Sequence, residues 1–225
     1  MFDDYIKREN IIFDILNDFN DASLFFIIVG GYGVSAYKHR FSVDADLIIR
    51  EEDLTKFEDI LKKKKFVKSI SRKLDHAYTG LFVSYKKNNG LAVSVDLLVG
   101  GIGSRTTNAS FSIEQIKENS KKRKIIGIEK EILAYVADPE ILIILKLHSG
   151  RLTDFRDIAA LSKNIDINLI KKYIWIGNKD IIKSNITKIL ELINKREFMD
   201  SFKGVFIEKK YSVDIESINK LKELL

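Results

Sequence analysis

A chain of 225 residues with 38 Lys and Arg against 32 Asp and Glu carries a formal net charge of +6, and 45% of its residues are hydrophobic. That balance describes a globular chain long enough for one large domain or two small ones, and its basic excess favours an anionic partner. The absence of Cys excludes thiol catalysis, cysteine–zinc sites and disulfides. No apolar run approaches membrane-spanning length, and the start Met1-Phe2-Asp3-Asp4 is acidic where a secretory signal is basic, so the expectation is a cytoplasmic protein without membrane contact.

Tyr5, Ile12, Ile15, Leu16 and Phe19 recur at helical spacing and predict an amphipathic helix over 4–19. The apolar run 24–29 reads as a buried strand, Gly30-Gly31 as a turn, 33–39 as a short helix and 43–50 as a second strand. An amphipathic helix over 52–64 follows, with Leu54, Phe57, Ile60 and Leu61 inward, then a strand near 66–70. The runs 77–85 and 91–99 flank Asn88-Asn89-Gly90, a hairpin turn. Ser112 and Gln115 form a capping-box pattern for a helix through Asn119, and 123–136 alternates as β around Gly127. Asp138-Pro139-Glu140 starts a helix, with Asp as N-cap and Pro at the first helical position. From there the pattern is helical over 139–150, 153–163, 166–175 and 179–195, with one or two helices to the end. This change of pattern predicts a catalytic domain over 1–136 and a helical C-terminal domain over 137–225.

The chemistry concentrates in the second strand. Strand residues two apart share a face, so Asp44 and Asp46 project together while Ala45 points away. Two neighbouring carboxylates repel unless a cation lies between them, and Mg²⁺ takes one or two carboxylates before completing its shell with phosphate oxygens. Gly30-Gly31 lets backbone approach such a phosphate at the start of a helix. Asp96 is a third acid in an apolar strand, at 92–98, and a third carboxylate on a neighbouring strand is what two-metal phosphoryl transfer needs. The alternatives are a solvated strand end for Asp44 and Asp46, and a pairing with a nearby Lys for Asp96. The basic runs 62–65 and 121–124 read either as solvated element ends or as RNA-binding surface. Tyr32 reads as packing sooner than as a base-stacking ring, His148 as packing or surface, and His39 and His76 lack any ligand pattern.

Gly30-Gly31, Ala36, Arg40, Ser42, Asp44-Ala45-Asp46 and the apolar run after it resemble the signature of the polymerase β-type nucleotidyltransferase superfamily, and within it the AbiEii-type toxins of type IV toxin–antitoxin systems. A second block at 137–161 is similar to a segment of the same families, through Lys146, Gly150-Arg151, Asp154 and Asp157. Where many members place Ser after the first glycine, this chain has Gly31, which leaves phosphate contacts to backbone N–H groups. The resemblance implies an α+β fold, with a nucleotidyltransferase core of mixed β-sheet and flanking helices followed by a helical C-terminal part. It implies transfer of a nucleoside monophosphate from an NTP to a hydroxyl, with release of pyrophosphate. Two Mg²⁺ ions would be held by Asp44, Asp46 and Asp96, and the nucleotide by Gly30, Gly31, Ser42, Lys146, Arg151 and Asp154. The implied acceptor is RNA, such as a tRNA end, and the implied partner an antitoxin encoded nearby. On a continuous helix Lys146, Gly150, Asp154 and Asp157 fall on one stripe, and Lys146 reads either as a triphosphate contact or as part of an ion-pair network. Two rivals share these motifs: an antibiotic nucleotidyltransferase acting on aminoglycoside-like acceptors, and a non-catalytic nucleotide- or partner-binding module.

Overall fold

The computed structural model describes residues 2–75, 77–78, 80–88, 92–206 and 213–225. Four consecutive buried apolar residues make β1 (Phe26–Val29) a strand covered on both faces. It is central to a seven-stranded mixed sheet with β2 (Asp44–Ile49), β3 (Val67–Lys73), β4 (Leu81–Asn88), β5 (Ala92–Val99), β8 (Ser120–Ile126) and β9 (Glu131–Ala137). The order is β3-β4-β5-β2-β1-β9-β8, in which β2 with β5 and β1 with β9 are parallel and the other pairs antiparallel. A separate hairpin, β6 (Gly101–Ser104) with β7 (Ala109–Ser112), lies outside this sheet.

Strand alternation sends side chains to two different cores. On one face Ile28, Leu47, Ile49, Val95 and Leu97 join Phe13, Leu16 and Phe19 of α1 (Phe2–Asp21) and Phe57 and Leu61 of α3 (Leu54–Lys63). On the other face Ile27, Val29, Ile48 and Leu98 join Phe111 of the hairpin and the helices α5 (Pro139–Ser149), α6 (Leu152–Leu161) and α8 (Lys179–Leu192) through Leu142, Ile158 and Ile186. Asp44 and Asp46 are in step with Ile48, and Asp96 with Leu98, so all three acids lie on this second face. The remaining helices are α2 (Gly30–Ser35), α4 (Ile113–Glu118), α7 (Ile167–Tyr173), α9 (Arg196–Asp200) and α10 (Ile215–Asn219). Among the described residues no helix is long and apolar enough to cross a membrane.

The expected α+β class, with its mixed sheet and flanking helices, is the one observed, and regular structure after Pro139 is helical throughout the described residues. The capping box of Ser112 and Gln115 is present. Several expectations need correction. The run 123–136 is two antiparallel strands that turn at Gly127, whose N–H donates to the Lys130 carbonyl. The β6–β7 hairpin falls in a stretch whose short Gly- and Ser-rich strands carry little periodic signal. Asp138 holds the N-cap position of α5 without a capping bond, and its carboxylate meets Lys121 instead. The turn at Asn89-Gly90 and the side chain of His76 lie outside the described residues, though β4 and β5 pair in the antiparallel register a hairpin requires.

The helix over 139–150 does not run on into the next. Gly150 adopts φ 69° at the end of α5, and a Cβ there would fall 2.5 Å from Asn185 Nδ2. Left-handed backbone and a crowded site both demand glycine. Gly150→Ala is expected to lower the unfolding free energy by about 1–3 kcal/mol, which urea denaturation would measure.

Candidate active site

Parallel pairing of β2 with β5 sets Asp44 opposite Ser94 and Asp46 opposite Asp96. The same row continues to Val29 on β1 and to Ser84 on β4, while Lys86 of β4 stands opposite Ser94. Ser94 Oγ donates to Asp44 Oδ1 at 2.6 Å, and the Ser84 hydroxyl bonds the Asp96 carboxylate. Asp96 Oδ1 is nonetheless buried without a hydrogen-bond partner. Burial pushes the Asp46 carboxyl up to about 7; the Asp96 and Asp44 charges add to this, while Lys146 and Arg151 oppose it. Burial also raises Asp96, against its bond from Ser84 and with the Asp44 charge. Two in-register acids resisting ionisation, one of them with an orphaned buried oxygen, fit a divalent cation held by Asp44, Asp46 and Asp96. As the side chains stand, no three His, Cys, Asp or Glu among the described residues are drawn together into a ligand cluster.

The glycine turn meets these acids directly. Gly30 has φ 59°, and a Cβ there would fall 1.8 Å from Asp46 Oδ2, so only glycine leaves room for that carboxylate. At Gly31 a Cβ would fall 2.3 Å from Ser42 Oγ, which brings the expected Ser42 against the turn. The helix that follows is shorter and earlier than expected, six residues from Gly30. Tyr32 is fully buried and donates to the Ser42 carbonyl at 3.2 Å, which makes it a packing residue.

A cleft of about 590 Å³ opens between the sheet, the β6–β7 hairpin and α5, lined among others by Gly30, Asp46, Arg105, Lys146, Arg151 and Asp154. Arg105, at the exposed tip of the hairpin, was not legible from the sequence because the hairpin itself was not. Ser84 and Lys86 did carry a signal: they are polar residues two apart in a strand, hence on one face.

Lys146 is buried and doubly paired, 2.9 Å from Asp154 Oδ1 and 2.8 Å from Asp157 Oδ2. Arg151 Nε reaches Asp154 Oδ2 at 2.8 Å, and the Arg151 backbone N–H donates to the same oxygen at 3.1 Å. Arg40, ahead of β2, lies 3.0 Å from Asp157 Oδ1. Of the two readings for Lys146, the ion-pair network is the one its contacts make, although the ammonium also faces the cleft. The residues meet across a helix break, not along one helical stripe, because Gly150 folds α6 back on α5. Beneath them His148 is buried, with Nδ1 2.7 Å from Thr107 Oγ1, and burial pushes its pKa down to about 4, so it packs as a neutral ring.

The sequence matches no protein-family model and no curated protein. Solved structures do resemble it. The solution structure of the antibiotic-resistance factor ANT(2'')-Ia aligns with a TM-score of 0.52 at 13% identity, over 73% of this chain and 88% of that one. The crystal structure of ANT(2'')-Ia with adenylyl-2''-tobramycin aligns at 0.51 and 11% identity, over 80% and 97%. JHP933 from Helicobacter pylori aligns at 0.49 and 15% identity, over 98% and 89%. The chain shares the fold of ANT(2'')-Ia.

The ion-pair network makes two predictions. The Asp154 carboxyl is held down to about 2: its hydrogen bonds from Arg151 and Lys146 and the Lys146 charge outweigh its burial. A depressed acid contributes stability that is complete above its unfolded value of 3.8 and is lost as pH falls toward 2. Acid unfolding followed by circular dichroism is therefore expected to steepen between these values, and Asp154→Asn to flatten that limb. Removing the shared cation leaves Arg151 as the cation on Asp154 and Arg40 as the cation on Asp157, so Lys146→Ala is expected to cost about 1.5–3 kcal/mol in denaturant titration.

Proposed function

We propose that the chain is a Mg²⁺-dependent nucleotidyltransferase that moves a nucleoside monophosphate from an NTP to a hydroxyl. The observation that carries this reading is the set of in-register acids Asp44, Asp46 and Asp96, with an orphaned buried oxygen, beside a cleft lined by Arg105, Lys146 and Arg151. The shared fold supports it, since ANT(2'')-Ia has been seen with adenylyl-2''-tobramycin.

The three acids would hold the metal, which when bound neutralises phosphate charge and lowers the pKa of an attacking hydroxyl. The chain's own part is positioning. Gly30-Gly31 admits the phosphates next to Asp46, and Ser42 lies within reach of the same turn. Lys146 and Arg151, already oriented by Asp154, present positive charge to the triphosphate from one wall, and Arg105 does so from the other. The acceptor hydroxyl gives up its proton to water as its oxygen bonds to the α-phosphorus and the bond to the pyrophosphate oxygen breaks, and pyrophosphate leaves with that electron pair.

Within this reading the acceptor is RNA, such as the end of a tRNA, and the role is that of a toxin restrained by an antitoxin encoded nearby. The motifs of the AbiEii-type families support it, as does the net charge of +6. An antibiotic acceptor is the second reading, favoured by the fold of ANT(2'')-Ia. An aminoglycoside is a polycation, however, and a basic protein attracts it poorly. Incubation with each α-labelled NTP, Mg²⁺ and either total RNA or tobramycin separates the two by which acceptor becomes labelled. NTP binding that survives chelator, with no transfer to either, would leave a binding module.

Asp44→Asn and Asp46→Asn are each expected to abolish transfer while the metal-free Tm stays equal or rises, because each removes one of several repelling charges. A variant with wild-type turnover would sink the metal assignment. Asp96→Asn is expected to keep Mg²⁺-dependent NTP binding within a few-fold of wild type and to lower transfer by orders of magnitude, since a nucleophile-side ion supplies several kcal/mol to the transition state. Equal loss of both would make Asp96 an organiser of the whole site instead.

A further inference from the structure

The acid-bearing face of the sheet is covered on one side only. From β1 and β2 outward it lies under the hairpin and the C-terminal helices, which close the nucleotide cleft. Beyond Asp96, on the β3–β4 wing, the cover thins: Phe82 of β4 still packs against that core, whereas every residue of β3 is exposed among the described residues, including Val67 at 70% and Ile70 at 41%. Register decides which side chains share that open face. Val67 pairs with Lys86, Ile70 with Ser84 and Arg72 with Phe82, and Ser84 and Lys86 pair in turn with Asp96 and Ser94. Arg72 and Lys86 therefore stand on the same face as the three acids, with Val67 and Ile70 beside them.

Register sets Lys86 beside the strand of Asp96 and Arg72 one strand farther out, whereas the basic runs conspicuous in the sequence are partly paired, with Lys63, Lys65 and Lys122 among those that make no ion pair in the described residues. Lys62 is paired with Glu58 and Asp59, Lys64 with Asp18, Lys121 with Asp138 and Lys124 with Glu131. Lys68, on the opposite face of β3, is paired with Glu58. Among the described residues Arg72 and Lys86 make no ion pair, and Lys86 acts on Asp96 only through its field. Cations that make no ion pair among the described residues, along a strand that leads to the acceptor side of the site, complement a polyanion.

Resting on the transferase reading, we propose that the β3–β4 face is the acceptor platform: a single strand of RNA lies along it with phosphates on Arg72 and Lys86, and delivers its terminal hydroxyl to Asp96. The contact would follow the open face and not the runs at 62–65 and 121–124.

The test uses the full chain, a fluorescein-labelled single-stranded RNA oligonucleotide and Mg²⁺ with each NTP. The double variant Arg72→Glu, Lys86→Glu is expected to weaken RNA binding by about tenfold or more and to lower the salt slope by about one per cation, whereas NTP affinity, which feels Lys86 through its field on Asp96, is expected to change by much less than RNA affinity. Lys63→Glu with Lys65→Glu, equally exposed, is expected to keep most of the wild-type affinity. Arg72→Gln with Lys86→Gln repeats the measurement should charge reversal disturb the edge strand. If the cations only guard the edge against strand pairing, RNA binding will be unchanged, and the proposal falls. It falls equally if the comparator loses as much affinity, if charge reversal tightens a polycationic acceptor such as tobramycin, or if the wild-type protein binds no RNA. In the last case retained NTP binding leaves the transferase reading standing, whereas RNA binding without NTP binding would sink that reading and spare the platform.

Discussion

Asp46 and Asp96 face each other across one parallel strand pair, and the site is arranged around the cost of that juxtaposition. Neighbouring strands lie about 4.8 Å apart. Two charges at that spacing repel by about 3 kcal/mol at an effective dielectric near 20, before any desolvation is counted. Such a pair persists in a folded chain only where surrounding packing over-determines it. Here Ile48 and Leu98, the next residues in step on the same face, are locked into the core shared with the C-terminal helices, so neither strand can slip to separate the acids. A cation held there, as proposed, would relieve that strain and so couple its binding to the relief of repulsion.

The buried network beneath the cleft serves the same end by another route. Arg40 comes from the segment before β2, Asp157 from α6 and Lys146 from α5, so a single chain of charges joins the sheet to two helices. Every carboxylate in it is satisfied from at least two sides, which is the condition under which buried charge is tolerated. Because Lys146 and Arg151 are held by Asp154, their charged groups keep little side-chain freedom, and the proposed phosphate contact would have little of it to remove.

How legible this was from sequence depended on range. Asp44, Asp46 and Asp96 could be read because an acid within an apolar strand is locally anomalous, and Gly30 because it sits in a turn. The meeting of Lys146 with Asp154 was legible in outcome but not in cause: helical spacing suggested a stripe, whereas Gly150 breaks the helix and the residues meet by fold-back. The pairing of Arg40 with Asp157 joins residues 117 apart, and no local pattern records it. The β6–β7 hairpin was missed for a physical reason as well. Its strands are short and partly glycine and serine, so its burial comes from packing on His148 and α5, not from its own periodicity.

Charge counts along the chain misled in an instructive way. The runs at 62–65 and 121–124 look most basic in sequence, yet folding sets acids beside several of their lysines and cancels much of that field. Arg72 and Lys86 are isolated in sequence and look ordinary, but strand register gathers them on the face that carries the acids. Field strength at a surface depends on which cations remain uncompensated, and that is a property of register and not of composition. A net charge of +6 thus says only that uncompensated cations exist. The pairing of β3 with β4 determines that two of them stand where an anionic chain could approach Asp96.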